Sequence, residues 1–525
     1  MRALMIGLLL AVTPVVAEAR TAQVEERTID QLQADMTAGR ASSADLVRAY
    51  LQRIERLDRK GPTLRSVVAI NPQALAQARA LDAERRAGRV RGPLHGVPVL
   101  VKDNIDTLEM PTTAGSLALR DNHTRRDAPV VARLRAAGAV ILGKTNLSEW
   151  ANIRSSNSMS GWSAMGGLVR NPYALDRTAC GSSSGSGTAA AASLAAAAVG
   201  TETDGSVICP SSINGLVGLK PTMGLVSRTH VVPISHSQDI PGPMAKSVRD
   251  VAAMLTVMAG TDPADSVTAE ADRVKRDYAV GLSEGALSGL RVAVYRPDNL
   301  SPELAARFDA ALEVMRGAGA VLVDVKRPSL QGLGDAELKV LLTELKADLD
   351  AYLATTPPSV TTRTLIQVIA FNKANASAEM PFFGQDLFEE AAKTNGLDDP
   401  EYRAARENSR RLASGAIDAM LAQAEATVLV TPSYGPAWLS DTVHGDQYGG
   451  PSSSQLPAIS GYPNLTVPMG LVDRLPVGLS FIATRNGDAT VLGAGYAYEQ
   501  RARARVAPRY LPTADAGPGL EGSLQ

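Results

Sequence analysis

The stretch CGSSSGSGTAAAASLAAAAVGTETDGSVICP, Cys180 to Pro210, sets two Ser/Gly loops, Gly181 to Gly187 and Thr201 to Ser206, at the ends of an alanine run. Glycine lets backbone approach backbone or a ligand closely. Ala189 to Ala192 and Ala195 to Ala198 combine high helix propensity with side chains too small to obstruct packing. The stretch therefore predicts a short buried helix with a serine loop at each end and hydroxyls and bare amides at its rim. A flexible Gly/Ser linker has a similar composition. The apolar segment Ile213 to Leu219 that follows argues against a linker, which needs no such order.

Upstream, Pro93-Leu94-His95-Gly96-Val97-Pro98-Val99-Leu100-Val101-Lys102-Asp103-Asn104 reads as an apolar strand that delivers a lysine at its end. A helix over Ala128 to Ala137 and a strand over Ala139 to Leu142 complete a β-α-β unit, which predicts an α/β layer architecture. Downstream, strands are expected at Leu290 to Tyr295, Ala320 to Val325, Thr427 to Thr431, Asn464 to Pro468 and Val477 to Ile482. Helices are expected at Val251 to Met258, Leu304 to Gly317 and Ala489 to Arg501, with Asp335 to Asp418 mainly helical. Before the core, Thr28 and Ser43 serve as N-caps for Ile29 to Thr37 and Ala44 to Leu57, and a third helix covers Pro72 to Arg86. With no internal repeat and no strong boundary, residues 20–511 read as one domain, 28–88 being a helical layer. The Gly- and Ala-rich residues 512–525 read as a disordered tail.

The bulk numbers narrow the function. A chain of 525 residues, 45% apolar and 20% charged, has an ordinary globular composition. Lys plus Arg number 53 against 54 for Asp plus Glu, a net charge of -1, which gives no electrostatic case for nucleic acid or an anionic membrane. Met1 to Ala19 has a basic start at Arg2, an apolar run from Ala3 to Val12 and the Ala17-Glu18-Ala19 site of a signal peptide cut after Ala19. The mature protein is therefore expected to be exported, periplasmic or secreted. The leader is too short for a comfortable span, and no later stretch reaches about 18 uninterrupted apolar residues, so no stable membrane insertion is expected after cleavage. Cys180 and Cys209 flank the serine-rich core; an oxidising compartment permits their pairing, and the sequence leaves their geometry open. Two cysteines with no histidine close by argue against a cysteine-built metal site.

Two constellations compete for the chemistry. Gly181-Ser182-Ser183-Ser184-Gly185 satisfies the Gly-x-Ser-x-Gly pattern of a nucleophile elbow, but the elbow needs an apolar strand before it, and Asn171 to Arg177 is turn-like. His95, His123, His230, His236 and His444 are the only histidines, and His444 alone sits where such a fold puts its base. The alternative uses no histidine. Lys102 is a solvated loop lysine or an ion-pair partner of Asp103 unless it is buried. Buried among glycine-rich backbone, its pKa falls and the neutral amine becomes a base able to activate a serine within hydrogen-bond reach.

Gly92 to Ile105, Cys180 to Thr188, Gly200 to Pro210 and Gly215-Leu216-Val217-Gly218-Leu219-Lys220-Pro221-Thr222 together resemble the amidase signature family. The likeness covers about Gly92 to Val251, in a core over 92–260, and returns at Gly461 to Pro468 and Leu475 to Leu479. It implies a single α/β/α domain with a central mixed β-sheet flanked by helices. It also implies Lys102 as base, Ser182 as bridging serine and Ser206 as nucleophile, the interval between the serines selecting Ser182 over Ser183 and Ser184. Asp204 stands where the family usually has glycine, and Ile208-Cys209 replaces the usual arginine-containing pair. Both departures resemble the branch that contains bacterial peptide amidases, which remove the C-terminal amide of peptides.

The resemblance implies hydrolysis of a linear amide through an acyl-enzyme on Ser206. The backbone N–H groups of Thr203, Asp204, Gly205 and Ser206 would form the oxyanion hole. No metal, nucleotide or organic cofactor is expected, and the partners are a peptide or small-molecule amide and water. Ser155 to Gly167 and Pro381 to Gly384 are candidate pocket walls. Amides of aryl or aliphatic acids are the alternative substrates, and a silent amide-binding protein is the alternative from another class. A component of an amidotransferase serving acyl-tRNA fits poorly with an export signal. Oligomeric state and the physiological amide stay open.

Overall fold

The computed structural model describes residues 22–515; the expected signal peptide, residues 1–19, lies outside the described residues. Among the described residues thirteen strands alternate with helices: β1 Val67–Ile70, β2 Pro98–Lys102, β3 Val140–Thr145, β4 Trp162–Ser163, β5 Gly167–Leu168, β6 Ala197–Glu202, β7 Val217–Lys220, β8 Ile240–Ala245, β9 Arg291–Tyr295, β10 Val321–Val325, β11 Val428–Pro432, β12 Asn464–Val472 and β13 Leu475–Ile482. Eleven of them form one sheet in the order β1-β3-β2-β6-β8-β7-β12-β13-β11-β9-β10, while β4 and β5 pair separately. β2 runs parallel to β3 and to β6, whereas β8 runs antiparallel to β6 and to β7, so the sheet is mixed as expected. Helices cover its faces, and β2, β3, β6 and β8 are buried along their whole lengths.

The N-terminal helix Ile29–Thr37 has the expected bounds, because Thr28 closes a capping box with Gln31. Ser42, rather than Ser43, caps the second helix, Ser43–Arg53, through a capping box with Asp45.

The alanine run differs from its expectation. The helix spans Ser184–Ala191, starting inside the serine loop, and Ala197 to Val199 belong to β6. Here the sheet overrides helix propensity, which is a weak preference. Ala197, Ala198 and Val199 pair with Val99, Leu100 and Val101 on one side, and with Ala245, Met244 and Pro243 on the other. The run stays small because the helix lies close against the strand. A Cβ on Gly200 would meet Ser183 Oγ at 2.7 Å.

β8 was not anticipated, because Pro241 and Pro243 mask a strand and proline cannot donate to a ladder. It is nonetheless a central strand, and its two register pairs with β7 fall at Met244 and Ala245, beyond both prolines. The chain stays packed past residue 511: Thr513 and Ala514 are buried and Asp515 pairs with Arg177. The expected loose tail therefore does not begin at 512, and residues 516–525 lie outside the described residues.

Cys180 and Cys209 form a disulfide with Cα atoms 6.0 Å apart, tying the start of one serine loop to the helix that follows the other. Titration of the denatured, unreduced protein should find no free thiol, and reduction should release both; free thiols before reduction would break this tie.

Candidate active site

β2 ends in Lys102, and β6 runs beside it into the turn Thr203 to Ser206, so the parallel pairing of these strands brings the lysine and the second serine loop together. Lys102 is fully buried. Its Nζ lies 2.7 Å from Ser182 Oγ, 2.8 Å from Thr201 Oγ1 and 3.3 Å from the Thr201 carbonyl oxygen. Ser182 Oγ lies in turn 2.9 Å from Ser206 Oγ. The three side chains singled out in the sequence thus form one line within hydrogen-bond reach. Asn104 supports it by donating to Thr201 Oγ1 at 3.0 Å.

Neither a solvated loop lysine nor an ion pair with Asp103 describes Lys102. Asp103 pairs with Lys144 at 2.9 Å, both fully buried or nearly so. Desolvation lowers the Lys102 pKa to about 7, while the carboxylates of Asp239 and Glu202 pull it upward without cancelling that effect.

The second serine loop is fastened from several directions. Glu202 Oε2 accepts from the amides of Val207 and Ile208 at 2.8 and 2.9 Å, closing the turn. Burial raises the Glu202 carboxyl to about 7 despite these bonds. Thr203 Oγ1 donates to Asp239 at 2.6 Å, and Asp239 also accepts from the amides of Ile234 and Ser235. Gln238 donates to the Thr203 carbonyl at 3.2 Å. The Ser206 carbonyl accepts from the Ser183 amide at 3.2 Å and the Gly205 carbonyl from the Cys209 amide at 2.8 Å. Gly205 has φ +80°, and a Cβ there would meet Tyr434 Oη at 2.2 Å, so only glycine fits. Among the described residues, the amides of Thr203, Asp204, Gly205 and Ser206 have no acceptor. Four consecutive free N–H groups around a turn can converge on one oxygen.

The serine at the centre of the elbow pattern, Ser183, and its neighbour Ser184 are engaged with backbone. Ser183 Oγ donates to the Thr201 carbonyl at 3.1 Å and accepts from its amide at 3.2 Å, and Ser184 Oγ donates to the Cys180 carbonyl. His444 lies on an exposed loop beside Asp441. Thr201, Glu202, Gln238 and Asp239 escaped the sequence reading. The first two lie within the decisive stretch, and the pair Gln238-Asp239 sits in a segment whose pattern carries no signal. His236, with Nδ1 2.9 Å from Asp348 and Nε2 3.2 Å from Glu344, is held between two carboxylates on opposite ring nitrogens, the geometry of an ion pair.

The two candidate wall segments meet. Trp162 packs edge-on against Phe382 and Phe383 at centroid distances of 5.6 and 5.4 Å, and Arg154 lies over Phe383 at 4.3 Å. Ser148 joins this cluster to the first serine loop: its amide donates to the Ser182 carbonyl at 3.1 Å and its Oγ accepts from the Gly161 amide at 2.8 Å.

Residues 45–492 match the family model described as Amidase. The chain is 36% identical over 503 residues to a probable amidase of Arabidopsis thaliana, covering 94% of this chain and 93% of the relative. It is 35% identical over 493 residues to a glutamyl-tRNA(Gln) amidotransferase component of Halorhodospira halophila, covering 91% and 97%. Among solved structures it resembles the native peptide amidase of Stenotrophomonas maltophilia, at 50% identity and a TM-score of 0.89, covering 92% of this chain and 99% of that one. A peptide amidase in complex with the competitive inhibitor chymostatin matches at 50% identity and a TM-score of 0.90, covering 92% and 99%.

The separate pairing of the two lysines has a measurable consequence. Asp103→Ala leaves Lys144 buried without its carboxylate and should destabilise the fold by about 3–5 kcal/mol in chemical denaturation. A loss below about 1 kcal/mol would mean the Lys144 charge is compensated elsewhere.

Proposed function

Because the chain belongs to the amidase signature family and is an amidase, we propose that it cleaves the amide C–N bond through Lys102, Ser182 and Ser206, with C-terminally amidated peptides as substrates. The observation that carries the proposal is the unbroken line from a buried lysine, its pKa lowered to about 7, through one serine to a second serine beside free backbone amides.

In the proposed reaction the neutral Lys102 amine takes a proton from Ser182 as Ser182 takes one from Ser206, whose oxygen attacks the amide carbonyl. The carbonyl oxygen gains negative charge and meets the amides of Thr203 to Ser206, where a single donor is worth about 2.7–4 kcal/mol. As the tetrahedral intermediate collapses, the C–N bond breaks and the proton returns through Ser182 to the leaving nitrogen, releasing ammonia. Water, deprotonated by the same relay, then attacks the ester on Ser206 and frees the carboxylate and the serine.

The substrate assignment rests on Asp204 and Ile208-Cys209, on the 50% identity to a peptide amidase, and on the aromatic cluster of Trp162, Phe382 and Phe383 tied to the Ser182 loop. The aromatic faces suit the apolar side chains of a peptide, and amide release leaves the acyl part in place. Export to the periplasm or medium belongs to the same proposal. It is supported by the leader sequence and is consistent with the Cys180–Cys209 disulfide, a bond favoured outside the cytoplasm.

Assays of ammonia or amine release from peptide amides, free amino-acid amides, anilides and fatty amides should rank peptide amides first by kcat/KM, and a preference for anilides or fatty amides would overturn the substrate assignment. Ser206→Ala should lower kcat by about a thousandfold or more, with fluorophosphonate labelling of the wild type mapped to Ser206. Labelling at Ser183 would overturn the nucleophile assignment.

The pH dependence has a defined sign. Lys102 acts as the neutral amine and its pKa is lowered to about 7, so kcat/KM should fall about tenfold per pH unit below that value and rise through it. A profile flat from about pH 5 to 8 would remove the lysine base.

A further inference from the structure

We infer that Glu337 is a positioning residue of the oxyanion site: it fixes Gln238, and Gln238 fixes the peptide that aims the Asp204 amide at the reacting carbonyl oxygen. This rests on the oxyanion role proposed for Thr203 to Ser206, and it concerns two residues outside that loop.

The geometry is a chain of three links. Glu337 lies on the helix Leu333–Ala354 and is buried. Its Oε1 accepts from Gln238 Nε2 at 2.9 Å and its Oε2 from Gln455 Nε2 at 2.9 Å, so one carboxyl joins the segment before β8 to the helix Gln455–Ser460. The same Gln238 Nε2 donates its other hydrogen to the Thr203 carbonyl at 3.2 Å. Both hydrogens of that amide are therefore engaged, one on the helix and one on the loop, and the side chain has no freedom to rotate without losing a buried bond.

The last link follows from peptide planarity. The Thr203 carbonyl and the Asp204 N–H belong to one planar trans unit and point in opposite directions. A donor held on the carbonyl side orients the N–H on the other side, where the Asp204 amide has no acceptor within the described residues. Donating to the carbonyl also polarises the unit and strengthens its N–H as a donor. The Thr203 side chain is fixed separately by Asp239, so Gln238 is the group that sets the tilt of this peptide.

The surroundings make the Glu337 carboxyl sensitive to its own charge. Asp204 from the nucleophile loop is the charged group acting on it, and the facing groups Gln238 and Gln455 are neutral amides. On its own helix Lys339 pairs with Glu401, and on the packed helix Pro400–Ala424 Arg406 turns to Ser237 and Glu344. Burial and the Asp204 charge push the Glu337 carboxyl up to about 8, which favours its protonated form at neutral pH. Its ionisation places a second negative charge behind the loop that must receive a negative oxygen.

The test uses steady-state kinetics of the full-length protein on one peptide amide, with Ser206→Ala as the control. Glu337→Ala and Gln238→Met should each lower kcat by about tenfold while KM stays within about twofold. The double variant should be no worse than the lower single, because both act through one chain. Glu337→Gln, which keeps an acceptor for Gln238 and cannot ionise, should retain kcat at pH 7 within about threefold. Ionisation of Glu337 is expected to add a decline in wild-type kcat/KM above about pH 8, beyond the rise that Lys102 sets near pH 7, and Glu337→Gln should abolish that decline. Where Glu337→Ala fails to fold, Gln238→Met and the Glu337→Gln pH profile decide. An unchanged kcat in Gln238→Met, multiplicative losses in the double variant, or an alkaline limb retained in Glu337→Gln would overturn the inference. A Ser206→Ala variant that still turned over would instead overturn the site assignment on which it rests.

Discussion

A primary amine buried with no carboxylate in hydrogen-bond contact, among the described residues, is the constraint on which this site depends. An ammonium group taken out of water needs a counter-charge, and without one it gives up its proton. Lys102 Nζ meets two hydroxyls and a carbonyl, and the acid next to it in sequence is spent on Lys144. The pleat enforces this separation. Paired residues of parallel strands share a face, and Lys102 pairs with Thr145 while Val101 pairs with Lys144. Successive residues alternate faces, so Lys102 lies with Thr145, and Asp103, one residue on, falls on the side of Lys144. Two lysines on neighbouring strands thus acquire opposite electrostatics. One is a paired structural cation, and the other is an amine poised near neutrality.

In the proposed mechanism, a base poised in this way is useful only if the nucleophile and its charge-accepting amides are held still. The loop Thr203 to Ser206 leaves its N–H groups free, so its rigidity has to come from its carbonyls, its side chains and its flanks. Glu202 clamps the residues after it, Asp239 and Gln238 hold Thr203 by hydroxyl and carbonyl, and Ser183 and Cys209 hold the carbonyls of Ser206 and Gly205. Among the described residues, every hydrogen bond made to the loop avoids the four donors. A site built to receive a negative oxygen is expected to be arranged so, with donors pre-set before charge develops.

Much of this was legible in the sequence, and the misses have physical causes. Strand β2 and its terminal lysine, the flanking helices and the later strands follow from apolar runs bounded by glycine and proline. The helix Ile29–Thr37 follows from its capping box. Ala195 to Ala198 misled because alanine favours helix in isolation, whereas β6 requires residues small enough to lie beneath the helix Ser184–Ala191. β8 was hidden by Pro241 and Pro243, which are tolerated because the bonds to β7 fall beyond them. Lys102, Ser182 and Ser206 were found through motifs, but the groups that hold them were not. Gln238, Asp239 and Glu337 act over long sequence separations, and no local pattern records which backbone group a side chain will reach.

The serine-dense patch carries the last lesson. Its composition suggests a choice among several nucleophiles, yet the hydroxyls of Ser183, Ser184 and Ser186 each donate to a backbone carbonyl, of Thr201, Cys180 and Val199. The glycines between them have the same origin in close approach: a Cβ on Gly181 would lie 2.1 Å from Ser148 Oγ, and one on Gly185 would lie 2.3 Å from the Ser66 carbonyl oxygen. Where backbone segments pack this tightly, a side chain must be small and must satisfy the carbonyls it covers, and serine does both. The density of hydroxyls is therefore a consequence of packing. Ser182 differs from its neighbours in that its hydroxyl lies between an amine and another hydroxyl, so its distinction comes from Lys102 on β2 and Ser206 after β6, the two groups on either side of it.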